Sequence, residues 1–513
     1  MPAARPYLNR LPMNHVKNIV IVGGGTAGWM SAAALSTLLP LGYRIRLIES
    51  DVISTIGVGE ATIPLIRGFN DLIGIDENDF MRATQGTFKL GIEFVNWGAQ
   101  GDTYIHGFGS VGRDQMLAKF YQYWLKMHQA GEADGLEAFS LNTMAPRMAK
   151  FMRPDPKHGN SPLADINYAF HFDAGLYAKF LRGHAEARGV VRTEGKIAGT
   201  VLRQADGFVD AVVMENGEHI AADLFIDCSG MVALLIEQAL HTGFEDWSHW
   251  LPCDRAVAVP CASFGPLMPL TRSTARQAGW QWRIPLQHRT GNGHVYCSKF
   301  MQAGEAESIL MDNLDGAPLA QPRHLKFLTG KRKKAWNKNV VAIGLAGGFM
   351  EPLESTSIHL VQTTITRLMM FFPHAGFEQI DIDTFNRQSD HEYSAIRDFL
   401  ILHYKANTKT GSPFWRYCQQ MEVPDTLRHK MDLFLSNGRI VRDGDELFAE
   451  TSWLQVMHGQ GMRPRGYNPL VDQRSKEQIG AFLRETQLVI RACAEAMPTH
   501  ADFIAANCKA AAM

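Results

Sequence analysis

The sequence predicts an α/β fold: a Rossmann-like nucleotide-binding body followed by a mostly helical C-terminal part. Three observations predict it. A strand, glycine turn, helix and second strand open the chain at Asn18. Two later apolar runs, "LFIDCSG" (Leu224 to Gly230) and "VVAIGLAGG" (Val340 to Gly348), read as strands returning to the same sheet. From Asp390 onward the pattern is helices joined by polar turns. The expected division is a body over 15–390 and a helical subdomain over 391–513.

Asn18 to Val22 is a short β-branched run ended by glycines, the pattern of a buried parallel strand. Ala27 to Leu39, rich in Ala and Leu, reads as a helix, and "YRIRLIESD" as the second strand, ending at Glu49. Asp76 to Trp97 reads as helix then strand, and Phe172 to Val190 as an amphipathic helix. The stretch from Val190 to Gly230 holds Gly207 and the pair Asn216-Gly217 at turn positions, so it predicts a β-meander feeding back into the main sheet. Val340 to Phe372 repeats the theme of strand, glycine turn and helix.

Composition excludes several classes of function. The formal net charge of −1 over 513 residues provides no field that would favour nucleic acid or an anionic membrane. No apolar run approaches the ~20 residues a membrane helix needs. The N-terminal "MPAARPYLNRLPMNHVK" has no apolar core and does not read as a secretory signal. Seven scattered cysteines without CxxC spacing predict free thiols in a reducing cytoplasm, with neither a disulfide framework nor a metal site. The run Lys331 to Lys334 reads as a solvated loop.

Gly23, Gly25 and Gly28 form G-x-G-x-x-G between the first strand and its helix, with Thr26 and Ala27 opening that helix. Gly23 permits the tight turn, Gly25 lets a pyrophosphate approach the backbone, and Gly28 lets helix pack on strand. Glu49, 21 residues after Gly28, ends the second strand where a carboxylate can accept ribose hydroxyls. No second fingerprint offers an NAD(P) site, so electrons are expected from a separate reductase. The arrangement resembles FAD enzymes of the glutathione-reductase-2 type, including the single-component aromatic hydroxylases. Those usually carry Gly-Asp at the second return; Gly344-Leu345 here departs from them.

The segment "WQWRIP", Trp280 to Pro285, matches W-x-W-x-I-P, a signature of flavin-dependent halogenases. The chain resembles that family over roughly its whole length, through "VGGGTAGWMSA", "IGVGEATIP", "GTFKLGIEFVNWG", "GFMEPLEST" and "HYKANTKTGSPFW" in the same order. It looks most like the tryptophan and indole branch. The resemblance implies two-stage chemistry. FADH2 from a separate flavin reductase, by transient contact or diffusion, reacts with O2 to give a hydroperoxide, which halide converts to hypohalous acid. A lysine then directs the halogen to an aromatic substrate, either by hydrogen bonding or as a haloamine, and a base removes the ring proton.

By that resemblance the lysine is Lys89, in "TFKLGIEF", and the acid is Glu354, in "EPLESTS". Glu351 is the confusable neighbour; the family motif places the acid directly before the serine. A Lys89–Glu354 pair would pull the two pKa values apart. Ser355 would link the flavin and substrate sites. Thr356 and Ser357 open a helix at the family's halide position, where chloride or bromide would bind. The tryptophan enzymes carry Ser-Thr-Gly there; Ser355-Thr356-Ser357 makes a preference for bromide the expectation. The loop Ser54 to Pro64 resembles the flavin strap, with Gly57, Gly59, Glu60 and Ala61 against the ring system. Ile197 would contact the adenine, and Leu345 and Ile358 would line the flavin. Trp280 and Trp282 would stand between flavin and arene and prevent hydroxylation.

On the substrate side, His106 and Phe108 match an H-x-F pair that sandwiches the arene, with Trp453 as a third wall. The stretch "NGRIVRDGDELFAETSW" lacks the tyrosine pair with which the family's tryptophan enzymes grip the amino acid. A plain indole, an indole derivative or another small electron-rich arene is therefore the expected substrate. The C-terminal helices could support a homodimer. Two competing classes remain: a flavin monooxygenase or epoxidase, and a non-catalytic flavin-binding protein.

Overall fold

The computed structural model describes residues 16–52, 59–115, 118–374 and 376–512. A six-stranded sheet runs in the order Trp336–Asn337, Val340–Ala342, Leu224–Asp227, Asn18–Val22, Arg44–Glu49, Val191–Glu194. Its strands pair in parallel except at the Trp336–Asn337 edge. Both predicted returns are thus neighbours of the first strand or of each other. The helix Thr26–Leu38 is Ala-rich and packs its buried residues Gly28 to Leu35 onto this sheet. A Cβ on Gly28 would lie 1.9 Å from the Gly23 carbonyl oxygen, so only glycine permits this approach of helix to turn.

The meander forms a separate three-stranded sheet of Ile197–Leu202, Val209–Met214 and His219–Ala221. Its turn glycines Gly207 and Gly217 hold φ of 66° and 85°. Val191–Glu194 joins the main sheet instead, beside the second strand. The amphipathic helix is shorter than its pattern. Residues Ala169–Asp173 are a strand, and Asp173 caps the helix Ala174–Glu186 by accepting the N–H groups of Gly175 and Leu176.

A seven-stranded, mostly antiparallel sheet stands beside the nucleotide-binding body. It runs Arg323–Lys326, Arg255–Cys261, Thr290–Tyr296, Gly279–Pro285, Leu270–Arg276, Gly91–Val95, Thr103–Gly107. Trp280 and Trp282 alternate to the same face of their strand, as period-two geometry requires, with ring centroids 6.2 Å apart. A small sheet of Gly59–Ala61, Ala169–Asp173 and Thr87–Lys89 bridges the two larger ones.

The helix Gln379–Lys405 runs unbroken through residue 390. Its buried Phe399 and Tyr404 share a core with the seven-stranded sheet, while Ile490 and Ile504 near the C-terminus join the core of the fingerprint helix. The helical part is thus divided between the two cores. The lysine run is not a solvated loop throughout: Lys331 is buried in the strand Gly330–Arg332, bonded to Glu245 at 3.1 Å and Asp390 at 2.7 Å. All seven cysteines are free and buried. Among the described residues no helix is long and apolar enough to cross a membrane, and no His, Cys, Asp and Glu group could hold a metal ion.

Candidate active site

A cavity of about 760 Å³ runs from the fingerprint turn to the tryptophan strand. Gly23, Gly25, Thr26, Ala27 and Glu49 line one end, with Ile197 from the meander. Gly59, Glu60, Ala61, Leu345 and Ile358 line the middle, and Trp280 and Trp282 the far wall. The fit to a dinucleotide rests on backbone geometry. Gly23, at φ 107°, passes so close to Cys228 that a Cβ would lie 2.3 Å from its carbonyl oxygen. Gly25 caps the helix with no side-chain bond, and the space where its Cβ would stand is empty to 4 Å. Unpaired N–H groups therefore face open space, as a diphosphate requires. Glu49 is less free than expected: Arg192 Nε donates to it at 2.5 Å and Trp29 Nε1 at 3.3 Å. It retains acceptor capacity for a ribose. Gly57 lies outside the described residues.

The turn after Phe349 carries the candidate acid. Pro352–Glu354 form a single 3-10 turn, Ser355 sits in the left-handed region at φ 60°, and the helix Ser357–Met370 follows. This kink turns Ser355 toward the strand Thr87–Lys89 and Glu354 toward His106 and His403. Lys89, fully buried, donates from Nζ to Ser355 Oγ at 2.8 Å and to the Thr62 carbonyl at 3.0 Å. Its ammonium also lies 5.1 Å from the Phe108 ring centre. Burial pulls its pKa down from 10.5 to about 7, against the opposing charge of Glu354. A buried lysine of this kind is available as a neutral amine at ordinary pH.

Glu354 is also fully buried. Its direct partners are two imidazoles: His106 Nδ1 at 2.9 Å from Oε2 and His403 Nε2 at 2.8 Å from Oε1. Burial would raise its pKa, but the charge and hydrogen bond of His106, then those of His403, outweigh it and bring the carboxyl down to about 2. Lysine and glutamate both shift downward, the lysine by more, so the two values draw slightly together; the expected divergence does not occur, because burial rather than the pair dominates the lysine. The expected direct pair is replaced by Ser355 on one side and histidines on the other, because adjacent residues on a kinked turn point in different directions.

Glu351 faces the other way. Its Oε2 accepts the Trp280 indole N–H at 2.7 Å and the Tyr404 hydroxyl at 2.5 Å, which fixes the wall indole from behind. Burial raises its pKa to about 7, and these two bonds oppose the rise. Trp282 lies over Gly293, where a Cβ would come within 2.0 Å of the ring. Thr356 is buried with its hydroxyl unpartnered, and Ser357 lines the cavity at the start of its helix.

The aromatic residues differ in placement. His106 is engaged with Glu354 and packs edge-on to Phe108 at 6.4 Å. Trp453 is buried behind Phe399, 4.9 Å away, and Phe399 stacks on Phe448 at 3.8 Å. Phe399 and Phe448, not Trp453, are the rings beside His106. The sequence reading missed His403, Thr62, Phe399 and Phe448. The signal for His403 was present in "HYKANTKTGSPFW", quoted above for resemblance without a role for its first residue.

Fold and site together define a flavoprotein whose nucleotide cavity ends at an indole wall, with a buried lysine and carboxylate held at the turn beside it. The chain belongs to the tryptophan halogenase family, whose family model matches residues 18–476. It is 33% identical over 491 residues to Tryptophan 6-halogenase ThaL of Streptomyces albogriseolus, covering 89% of this chain and 91% of that protein. It is 34% identical over 440 residues to Tryptophan 7-halogenase RebH of Lentzea aerocolonigenes, covering 82% of each. Among solved structures it superposes on Xcc4156, a flavin-dependent halogenase from Xanthomonas campestris, with TM-score 0.94 and 47% identity, covering 97% of this chain and 99% of that one. BrvH, a flavin-dependent halogenase from Brevundimonas sp. BAL3, gives TM-score 0.92 and 45% identity, covering 96% and 99%. The protein is an FAD-dependent halogenase that uses reduced flavin and halide.

Proposed function

We propose that this halogenase acts on a small electron-rich arene, an indole or indole derivative, with Lys89 delivering the halogen and Glu354 removing the ring proton. Reduced FAD, supplied by a separate flavin reductase, would activate O2 when bound, and O2 is the oxidant that takes halide to hypohalous acid. The chain's own residues do the rest. Trp280 and Trp282, fixed by Glu351 and Gly293, separate flavin from arene. Two of the directions around Lys89 Nζ are taken by Ser355 Oγ and the Thr62 carbonyl. A neutral amine gives its two hydrogens to these acceptors and leaves its lone pair for the incoming halogen. Loss of the ring proton to Glu354 completes the exchange of halogen for hydrogen.

The observation that carries this reading is the burial of Lys89 and Glu354 on either side of Ser355, at the end of the flavin cavity. An aromatic surround of Phe108, Phe399 and Phe448 suits a flat ring, and the stretch before Trp453 lacks a tyrosine pair to hold an amino acid. Ser357 at the halide turn supports bromide as the preferred halide. The test is turnover of indole with FAD, NADH and a flavin reductase, in chloride or bromide, with products read by mass. A halogen isotope pattern on the arene is the expected result. Gain of one oxygen without halide would make the protein a monooxygenase.

A further inference from the structure

The strand that carries Lys89 is short and lies at the edge of its sheet. Among the described residues Thr87–Lys89 pairs only with Ala169–Asp173. An edge strand of this length has outward N–H groups that need partners and little cooperativity to fix its position. The partners come from the far end of the chain.

His500 begins the last helix, His500–Asn507, and is fully buried. Its Nε2 accepts the Phe88 N–H at 3.1 Å, and its Nδ1 lies 3.0 Å from the Leu267 carbonyl oxygen. A carbonyl only accepts and a peptide N–H only donates, so the two contacts fix one neutral tautomer, protonated on Nδ1. Phe88 itself stacks on Phe151 at 4.2 Å and meets Phe503 of the last helix edge-on at 5.4 Å.

The residues after that helix hold the approach to the strand. Gln85 sits in the left-handed region at φ 56°, four residues before Lys89, and is buried. Its side chain donates to the Ala511 carbonyl at 2.9 Å. Gln287 donates to the carbonyls of Gly86 at 2.7 Å and Cys508 at 3.2 Å, and accepts the Ala510 N–H at 2.8 Å. Arg82 donates to the Asn507 carbonyl at 2.9 Å. A strained residue persists only where its surroundings over-determine it, and here those surroundings are largely the tail.

We propose that the C-terminal segment from His500 to Ala511 is a positioning element for Lys89, with His500 as its central positioning residue. His500 acts through the Phe88 peptide, touching neither halide nor arene. It sets how far Lys89 Nζ reaches toward Ser355 and the incoming halogen. The proposal rests on the assignment of Lys89 as the residue that delivers the halogen.

The test compares wild type, His500→Leu, His500→Gln and Lys89→Ala in the full chain. Hypohalous acid is captured by a β-diketone trap, arene product is read by mass, and amide exchange is followed on the peptide containing Phe88. The expected result for His500→Leu is unchanged trapped hypohalous acid, faster exchange at Phe88, and arene turnover lowered on the order of tenfold with KM for arene unchanged, since small misplacements of a reacting group have such effects. His500→Gln retains an acceptor for the Phe88 N–H and restores most of the turnover. Arene turnover of His500→Leu within twofold of wild type, or no recovery in His500→Gln, overturns the proposal. Should His500→Leu not fold, Gln287→Leu, which frees the tail from Gly86, is judged by the same readouts. Lys89→Ala separates the two claims. If it loses arene product while His500→Leu does not, the positioning role alone fails; if it keeps arene product, the lysine assignment fails and the positioning role with it.

Discussion

Lys89 and Ser355 lie 266 residues apart in the chain and are joined by a 2.8 Å hydrogen bond inside the protein. Ser355 is the residue at which the backbone enters the left-handed region, so its strain and its contact are one feature. Ser355→Gly suits that backbone but removes the acceptor. It is expected to lower arene halogenation about tenfold, the effect of about 1.4 kcal/mol for an orphaned buried donor. The melting temperature should stay near that of wild type. Unchanged arene turnover would remove Ser355 from the account.

The buried amine has a consequence for stability. Lys89 titrates near 10.5 in the unfolded chain and near 7 when folded. Below pH 7 both states hold the proton, and the full cost of burying the ammonium is present. Between 7 and 10.5 the unfolded chain binds more protons, so stability rises with pH. Lys89→Met, which has no charge to bury, is expected to melt above wild type at pH 6, with the gap closing toward pH 10. A gap independent of pH, measured by calorimetry, would mean that the lysine is not desolvated.

His403 is expected to keep Glu354 ionised. Its Nδ1 lies 2.8 Å from the Phe399 carbonyl oxygen and its Nε2 2.8 Å from the Glu354 carboxylate. Both nitrogens thus face oxygen atoms. His403→Phe removes an imidazole that helps to hold the Glu354 carboxyl down to about 2, so the Glu354 pKa rises. The acid limb of the arene step, where the base becomes protonated, should move up by about one unit or more. An acid limb at the wild-type position would assign the ionisation to His106 alone.

Much of the fold was legible because its signals are local. The fingerprint glycines, the β-branched strands and the turn glycines each act within a few residues. Lys89 and Glu354 stood out only through resemblance; an isolated lysine in "TFKLGIEF" reads as exposed, whereas it is buried and bonded to Thr62 and Ser355. What the sequence concealed is pairwise and long-range. Nothing near Glu354 announces His106 or His403, and nothing near Phe88 announces His500. Trp453 shows the same limit from the other side: its indole packs behind Phe399, a residue contributed by another helix.

At the proposed halide turn, Ser357 stands where the resemblance places glycine in the tryptophan enzymes. With equal chloride and bromide, wild type is expected to yield mainly brominated arene. Ser357→Gly should shift the product ratio toward chlorination by about threefold or more, roughly 0.7 kcal/mol of relative halide binding. Mass spectrometry of the two products gives the ratio directly, and an identical ratio in both proteins would show that the serine does not tune the site.

In the proposed scheme halide oxidation and arene halogenation are separate, with Lys89 required only for the second. The direct measurement is Lys89→Ala with FAD, NADH, a flavin reductase, bromide and indole, following trapped hypohalous acid and brominated indole in the same reaction. Hypohalous acid at the wild-type level with brominated indole lost is the predicted result. Brominated indole at the wild-type level would contradict the claim and leave the buried lysine a structural residue.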